Sequence, residues 1–168
     1  MDLQDIATIF SYHTWANDRI LTAALCVSRA QLVAPVVPDP GHGSLRGILV
    51  HMLDTERGWR SMVEGRNVAP DILEHEFPDV DSIQTLWQAE RAGWPHFIES
   101  LDEARLNGPF FYAFPGGPRR ERILWQTLLH VVNHGTQHRS EAAAILTGYG
   151  HSPGECDFNL FLHEQAVR

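Results

Sequence analysis

The chain has 168 residues, enough for one domain with a proper hydrophobic core and short of what two usually need. Its 13 lysines and arginines against 21 aspartates and glutamates leave a formal charge of −8, which argues against a general nucleic-acid binder because phosphate contacts need a basic surface. The opening "MDLQDIATIF" carries acid where a secretory leader carries base, no apolar run is long enough to cross a bilayer, and Cys26 and Cys156 are isolated. The expectation is a cytoplasmic protein with no membrane association, no disulfide framework and no thiolate metal site.

Taken in chain order, the apolar spacing is helical over most of the length. In "LQDIATIFSYHTWANDRILTAAL" the positions Ile6, Ile9, Phe10, His13, Ile20 and Ala24 recur near i, i+3, i+4 steps, which predicts an amphipathic helix over 3–25. The proline- and glycine-rich "APVVPDPGHG" that follows cannot continue it and reads as a loop. Ser44 then caps a second helix, "LRGILVHMLDTERGWRSMVEG", with Gly65 as its stop.

A third helix starts after the acidic "DVDS" and runs through "IQTLWQAERAGWPHFIESL", with Pro95 predicting a kink or break near Gly93–Trp94. "GPFFYAFPGGPRRERILW" carries an aromatic run, a Pro-Gly-Gly turn and a second apolar end, which predict a short hairpin or extended crossover. The one local run of base, Gly116 to Arg122, belongs to this connection and reads as a solvated loop. A fourth helix carries "LLHVVNHGTQHRSEAAAIL" and stops near Gly148, and the tail "HSPGECDFNLFLHEQ" is apolar enough to fold back onto the rest. Four long helices joined by one or two long connections predict an all-α four-helix bundle, a single domain over residues 1–168.

The last helix places His130, His134 and His138 at successive four-residue intervals, so they share one stripe. His134 and His138 can offer imidazole nitrogens to one point beside the helix, as a chelating H-x-x-x-H pair does. Hydrogen-bonded core or surface histidines are the plainer alternative. Three features favour a metal. The stripe lies mid-helix, where buried neutral imidazoles need partners. His51 lies mid-way along the second helix, where it can meet the stripe across a bundle core. Gly47 and Gly58 share nearly the same face as His51, and glycine inside a helix costs roughly 1 kcal/mol relative to alanine. Either open space beside a metal or close helix packing compensates. Three histidines from two helices leave coordination positions open, the mark of a working site rather than a closed structural one. Neither H-E-x-x-H nor the E-x-x-H of di-iron bundles is present.

The segments "YHTWANDRIL", "LVHMLDTERGWRSMVEG" and "LLHVVNHGTQHRSEAAAILTGYG" resemble, in this order and over essentially the whole chain, the DinB/YfiT-like family of metal-dependent proteins. "HVVNHGTQHR" is the most specific part. The resemblance implies a four-helix bundle of up-down-down-up topology, a homodimer, and a nickel or zinc ion held by His51, His134 and His138. It makes His130 a non-ligating neighbour of the ligands. Where the family often shows Arg-Gly-Gln after the last ligand, this chain has Arg139-Ser140-Glu141, so Glu141 is placed to approach the site or orient a ligand imidazole.

Activities in the family imply a transferase or isomerase using a low-molecular-weight thiol such as bacillithiol or mycothiol, or else a hydrolase. A +2 ion held by three neutral histidines suits either, since it lowers the pKa of a thiol or a water. Asp54 and Glu141 are the candidate catalytic carboxylates. Tyr12, Trp15 and His130 are candidate walls of a small-molecule pocket, with the connection from Gly108 to Arg122 completing it. Arg19 and Arg139 are candidate anion receivers, against the plainer reading of exposed or ion-paired arginines. A non-catalytic metal- or ligand-binding protein of a stress response is the alternative from another class, and it predicts a closed metal with no pocket beside it.

Overall fold

The computed structural model describes residues 1–67, 70–114 and 116–167. It is mostly helical, with one small sheet. Helix α1 covers Leu3–Ala24, α2 Arg29–Val33 and α3 Leu45–Val63; a 3-10 turn at Glu74–Glu76 precedes α4, Val80–Glu90. Helices α5, Gly93–Glu99, and α6, Glu103–Leu106, lead into strands β1, Pro109–Tyr112, and β2, Arg120–Ile123. The long α7 spans Leu124–Gly148, and α8 spans Phe158–Ala166. No described helix is long and apolar enough to cross a membrane.

The helix ends follow local chemistry. Asp2 and Asp5 form a reciprocal capping box at the start of α1, and Ser44 accepts the Gly47 amide at 3.0 Å to open α3. Gly65 takes a left-handed φ of 69° just beyond α3. The interruption expected near Pro95 is a full break: α4 ends at Glu90 and α5 restarts at Gly93. This puts Pro95 in a first helical turn, where its missing N–H leaves no bond unmade.

The connection before α7 is a hairpin. β1 and β2 are antiparallel, pairing Pro109 with Ile123 and Tyr112 with Arg120. Pro115 of the expected Pro-Gly-Gly turn lies outside the described residues. The tail folds back as expected: Phe161 of α8 is buried against Tyr12 and Trp15 of α1, and the Trp15 indole donates to Glu164 at 2.9 Å.

Helix α7 packs along both α1 and α3, and the core around it falls into two apolar halves. One gathers Ile20, Leu49, Leu53, Ile83 and Leu146; the other gathers Phe10, Trp59, Trp94, Leu128 and Phe161. Each of the three long helices crosses from one half to the other: α1 between Ala16 and Ile20, α3 between Leu53 and Trp59, α7 between Val132 and Ala142. The buried polar residues His13, Asn17, His138 and Arg139 sit close to that junction.

Candidate metal centre

Helix α7 presents His134 and His138 one turn apart, and α3 presents His51 toward them. The His51 and His134 Nε2 atoms lie 3.1 Å apart, and so do the Nε2 atoms of His134 and His138. His138 is buried; His51 and His134 are half-buried. Nitrogens bound to zinc at about 2.0–2.1 Å stand roughly 2.8–3.4 Å from one another in octahedral-cis or tetrahedral sites, so each of these two spacings matches neighbouring ligands of one ion.

Proton accounting gives the same answer. His138 Nδ1 lies 2.7 Å from Glu141 Oε2. A carboxylate only accepts, so Nδ1 carries the proton and a neutral His138 turns a bare lone pair inward from Nε2. Burial, reinforced by neighbouring imidazoles, pushes His51 and His134 down to about 4, so both are neutral at pH 7. A neutral His134 Nε2 has either one proton or one lone pair, so at most one of its two 3.1 Å contacts is a full hydrogen bond. The other shares that one proton or sets two lone pairs or two protons face to face. A cation between the three nitrogens removes that conflict, and the donor set fits a borderline metal such as zinc or nickel.

A fourth imidazole, absent from the sequence reading, joins them. His42 stacks on His51 with ring centroids 4.1 Å apart and meets His138 edge-on at 4.8 Å. One ligand atom each from His42, His51 and His138 lie within 4.8 Å of one another. The loop that delivers His42 is held by its own backbone bonds. One oxygen of Asp39 accepts the amides of Gly41, His42 and Gly43 at 2.8, 3.0 and 2.8 Å. Those bonds hold the Asp39 carboxyl below its ordinary value. A Cβ at Gly47 would overlap the His42 carbonyl oxygen, so the missing side chain lets the loop sit directly on α3. Close approach, not open space beside a metal, explains Gly47, whereas Gly58 faces open space. The sequence signal was a histidine between two glycines at the entry to the helix that carries His51.

The other candidates are distributed as follows. Glu141 is in direct contact with His138. His130 is exposed, 6.0 Å from His134 and 5.3 Å from Trp59 by ring centroids. It lines a cavity of about 740 Å³ together with Trp59, Tyr112, Phe114, Arg120 and Arg122. That cavity takes up the hairpin but not Tyr12 or Trp15, whose ring neighbours are each other, Phe158 and Phe161. Asp54 accepts the Ile72 amide at 3.1 Å and so anchors the segment after α3; burial raises its pKa. Arg19 lies over the Trp15 ring and 3.6 Å from Glu164.

Arg139 is only 2% exposed and faces inward, engaged by protein partners. Its Nη1 donates to His13 Nδ1 at 2.8 Å and to Asn17 Oδ1 at 2.9 Å, and its Nη2 donates to Thr136. Because His13 Nδ1 accepts, Nε2 carries the proton and donates to Glu56 at 2.8 Å; Asn17 also donates to Glu56, at 2.9 Å. His13 and Asn17 thus each relay Arg139 to Glu56. Burial would push the Glu56 carboxyl up, but His13, Asn17 and Arg139 together outweigh it and hold it below its ordinary value.

Comparison with known proteins agrees with this architecture. The family model described as the DinB family matches residues 2–167. The chain is also similar to Protein DinB of Bacillus subtilis (strain 168), at 23% identity over an alignment of 164 positions, gaps included, that covers 92% of this chain and 91% of that protein.

Proposed function

This chain belongs to the DinB family, and from that premise we propose that it is a metal-dependent enzyme in which His51, His134 and His138 hold one nickel or zinc ion. The observation that carries this is the pair of 3.1 Å Nε2 contacts at His134, which neutral rings cannot both satisfy with full hydrogen bonds. Bound there, a divalent ion would supply Lewis acidity and lower the pKa of a thiol or a water. The reaction class is thiol-dependent S-transfer or hydrolysis of a small molecule, with a low-molecular-weight thiol as co-substrate in the first case.

The chain's own residues divide the work. Glu141 holds His138 in the tautomer that turns Nε2 inward. The cavity beside His130 receives the substrate: Trp59, Tyr112 and Phe114 give it apolar walls, and the exposed Arg120 and Arg122 give it positive charge. In this reading the long helices α1, α3 and α7, with α4 and α5 as one interrupted helix, make the up-down-down-up bundle, and the protein works as a cytoplasmic homodimer. The second reading, a non-catalytic metal-binding protein of a stress response, is favoured by one observation: His42 closes on the same centre.

Elemental analysis of protein purified without added metal or chelator tests the proposal. Wild type should carry about one nickel or zinc per chain, and His51→Ala and His138→Ala should lose it. A wild type that stays metal-free after reconstitution with either ion rejects the proposal.

A further inference from the structure

We propose that His42 is a fourth protein ligand to this centre, so that an ion held there would be ringed by imidazoles and an incoming co-substrate would take the place of His42. The inference rests on the three-histidine reading above and adds to it.

The placement of His42 is over-determined in a way that chance stacking would not require. Three consecutive amides are gathered by one Asp39 oxygen. The flanking Gly41 and Gly43 take left-handed φ values of 108° and 69°, which a side chain at either position would resist. The Ser44 amide donates to the His42 carbonyl at 2.7 Å, and Gly47 keeps the helix surface bare beneath that carbonyl. These devices fix the backbone of one residue, and that residue turns a half-buried imidazole onto His51 and His138. The same features also explain the helical glycine that the packing of α3 against other helices does not.

The ligands differ in how they are held. His51, His134 and His138 project from long helices, and His138 is buried with its Nδ1 held by Glu141. His42 stands on an exposed loop, so leaving the centre takes the rotation of one side chain about a fixed backbone. It is therefore the ligand that can yield, which reconciles a ring of four histidines with a working centre.

The test uses full-length protein reconstituted with cobalt(II), reading the dissociation constant and the visible absorption of the bound ion, with X-ray absorption to count imidazoles. His42→Ala should shift the cobalt bands, lower the imidazole count by one and weaken binding by at least the roughly 10–100-fold that loss of a merely orienting partner brings. Gly47→Ala keeps every donor yet displaces the His42 carbonyl, and it should shift the spectrum the same way. His134→Ala should abolish binding. If His42→Ala keeps the wild-type constant, count and spectrum while His134→Ala loses the ion, His42 is only a stacked neighbour and the three-histidine centre stands. If His134→Ala also keeps the ion, or wild type binds none, the three-histidine reading fails and this inference with it.

Discussion

His138 donates its Nδ1 proton to Glu141 across 2.7 Å, one turn along α7. The bond fixes which nitrogen faces His51 and His134, and it raises the basicity of that nitrogen. Glu141→Ala should therefore weaken metal binding by roughly 10–100-fold without removing a ligand. Glu141→Gln, whose amide oxygen still accepts from Nδ1, should lose less. Competition against a chromophoric chelator measures both constants, and equal affinities for wild type and Glu141→Ala would remove Glu141 from the centre.

The helices and the caps at Ser44 and Gly65 were legible because period and capping chemistry are local. The approach of His51 to His134 and His138 was legible because mid-helix positions on one stripe meet across a core. His42 was not, because a proline- and glycine-rich loop has no period from which to compute a direction. What places it is a set of backbone bonds to Asp39 and a clearance over Gly47. Arg139 was open to two readings for a different reason. One residue past His138, it is turned about 100° away around the helix, toward α1 rather than toward the three-histidine cluster. The hint lay in helix α1, where His13 occupies an apolar-stripe position and Asn17 follows it one turn later. A buried polar pair on one helix requires partners on another.

Gly135 of α7 faces His13 of that pair. A Cβ there would come 2.5 Å from His13 Cε1 and 2.8 Å from Arg139 Nη1. On helix propensity alone Gly135→Ala should stabilise by roughly 1 kcal/mol. Both obstructing groups are buried and hydrogen-bonded, so the overlap should win and leave a net loss of about 1–3 kcal/mol. Urea unfolding measures the sign, and a gain in stability would mean that His13 and Arg139 can shift freely.

Glu56 balances Arg139 through His13 and Asn17. Removing it leaves a guanidinium that is 2% exposed without its counter-charge. Glu56→Ala should cost up to about 3–5 kcal/mol, the range for breaking a directly paired buried charge from one side, since these two charges meet through His13 and Asn17. Replacing both members of the pair with apolar residues should cost less than the sum of the two single changes, since no buried charge then remains. A double-mutant cycle on unfolding free energies distinguishes this coupling from two independent losses.

The same carboxylate predicts an acid limit to stability. The folded protein holds Glu56 below its ordinary value of 4.5, so over the interval between the folded and unfolded values the unfolded chain binds more protons. Stability therefore rises with pH across that interval. The contribution of Glu56 is fully present above pH 4.5 and is lost as pH falls through the lower, folded value. The neutral amide of a Glu56→Gln variant accepts hydrogen bonds but cannot titrate, so its stability lacks this component. The difference in unfolding free energy between wild type and Glu56→Gln should be constant from neutral pH down to about 5, then shift against wild type below 4.5. Urea titrations at a series of pH values read that difference directly. A constant difference through the acid range would mean that His13, Asn17 and Arg139 do not hold the Glu56 proton off.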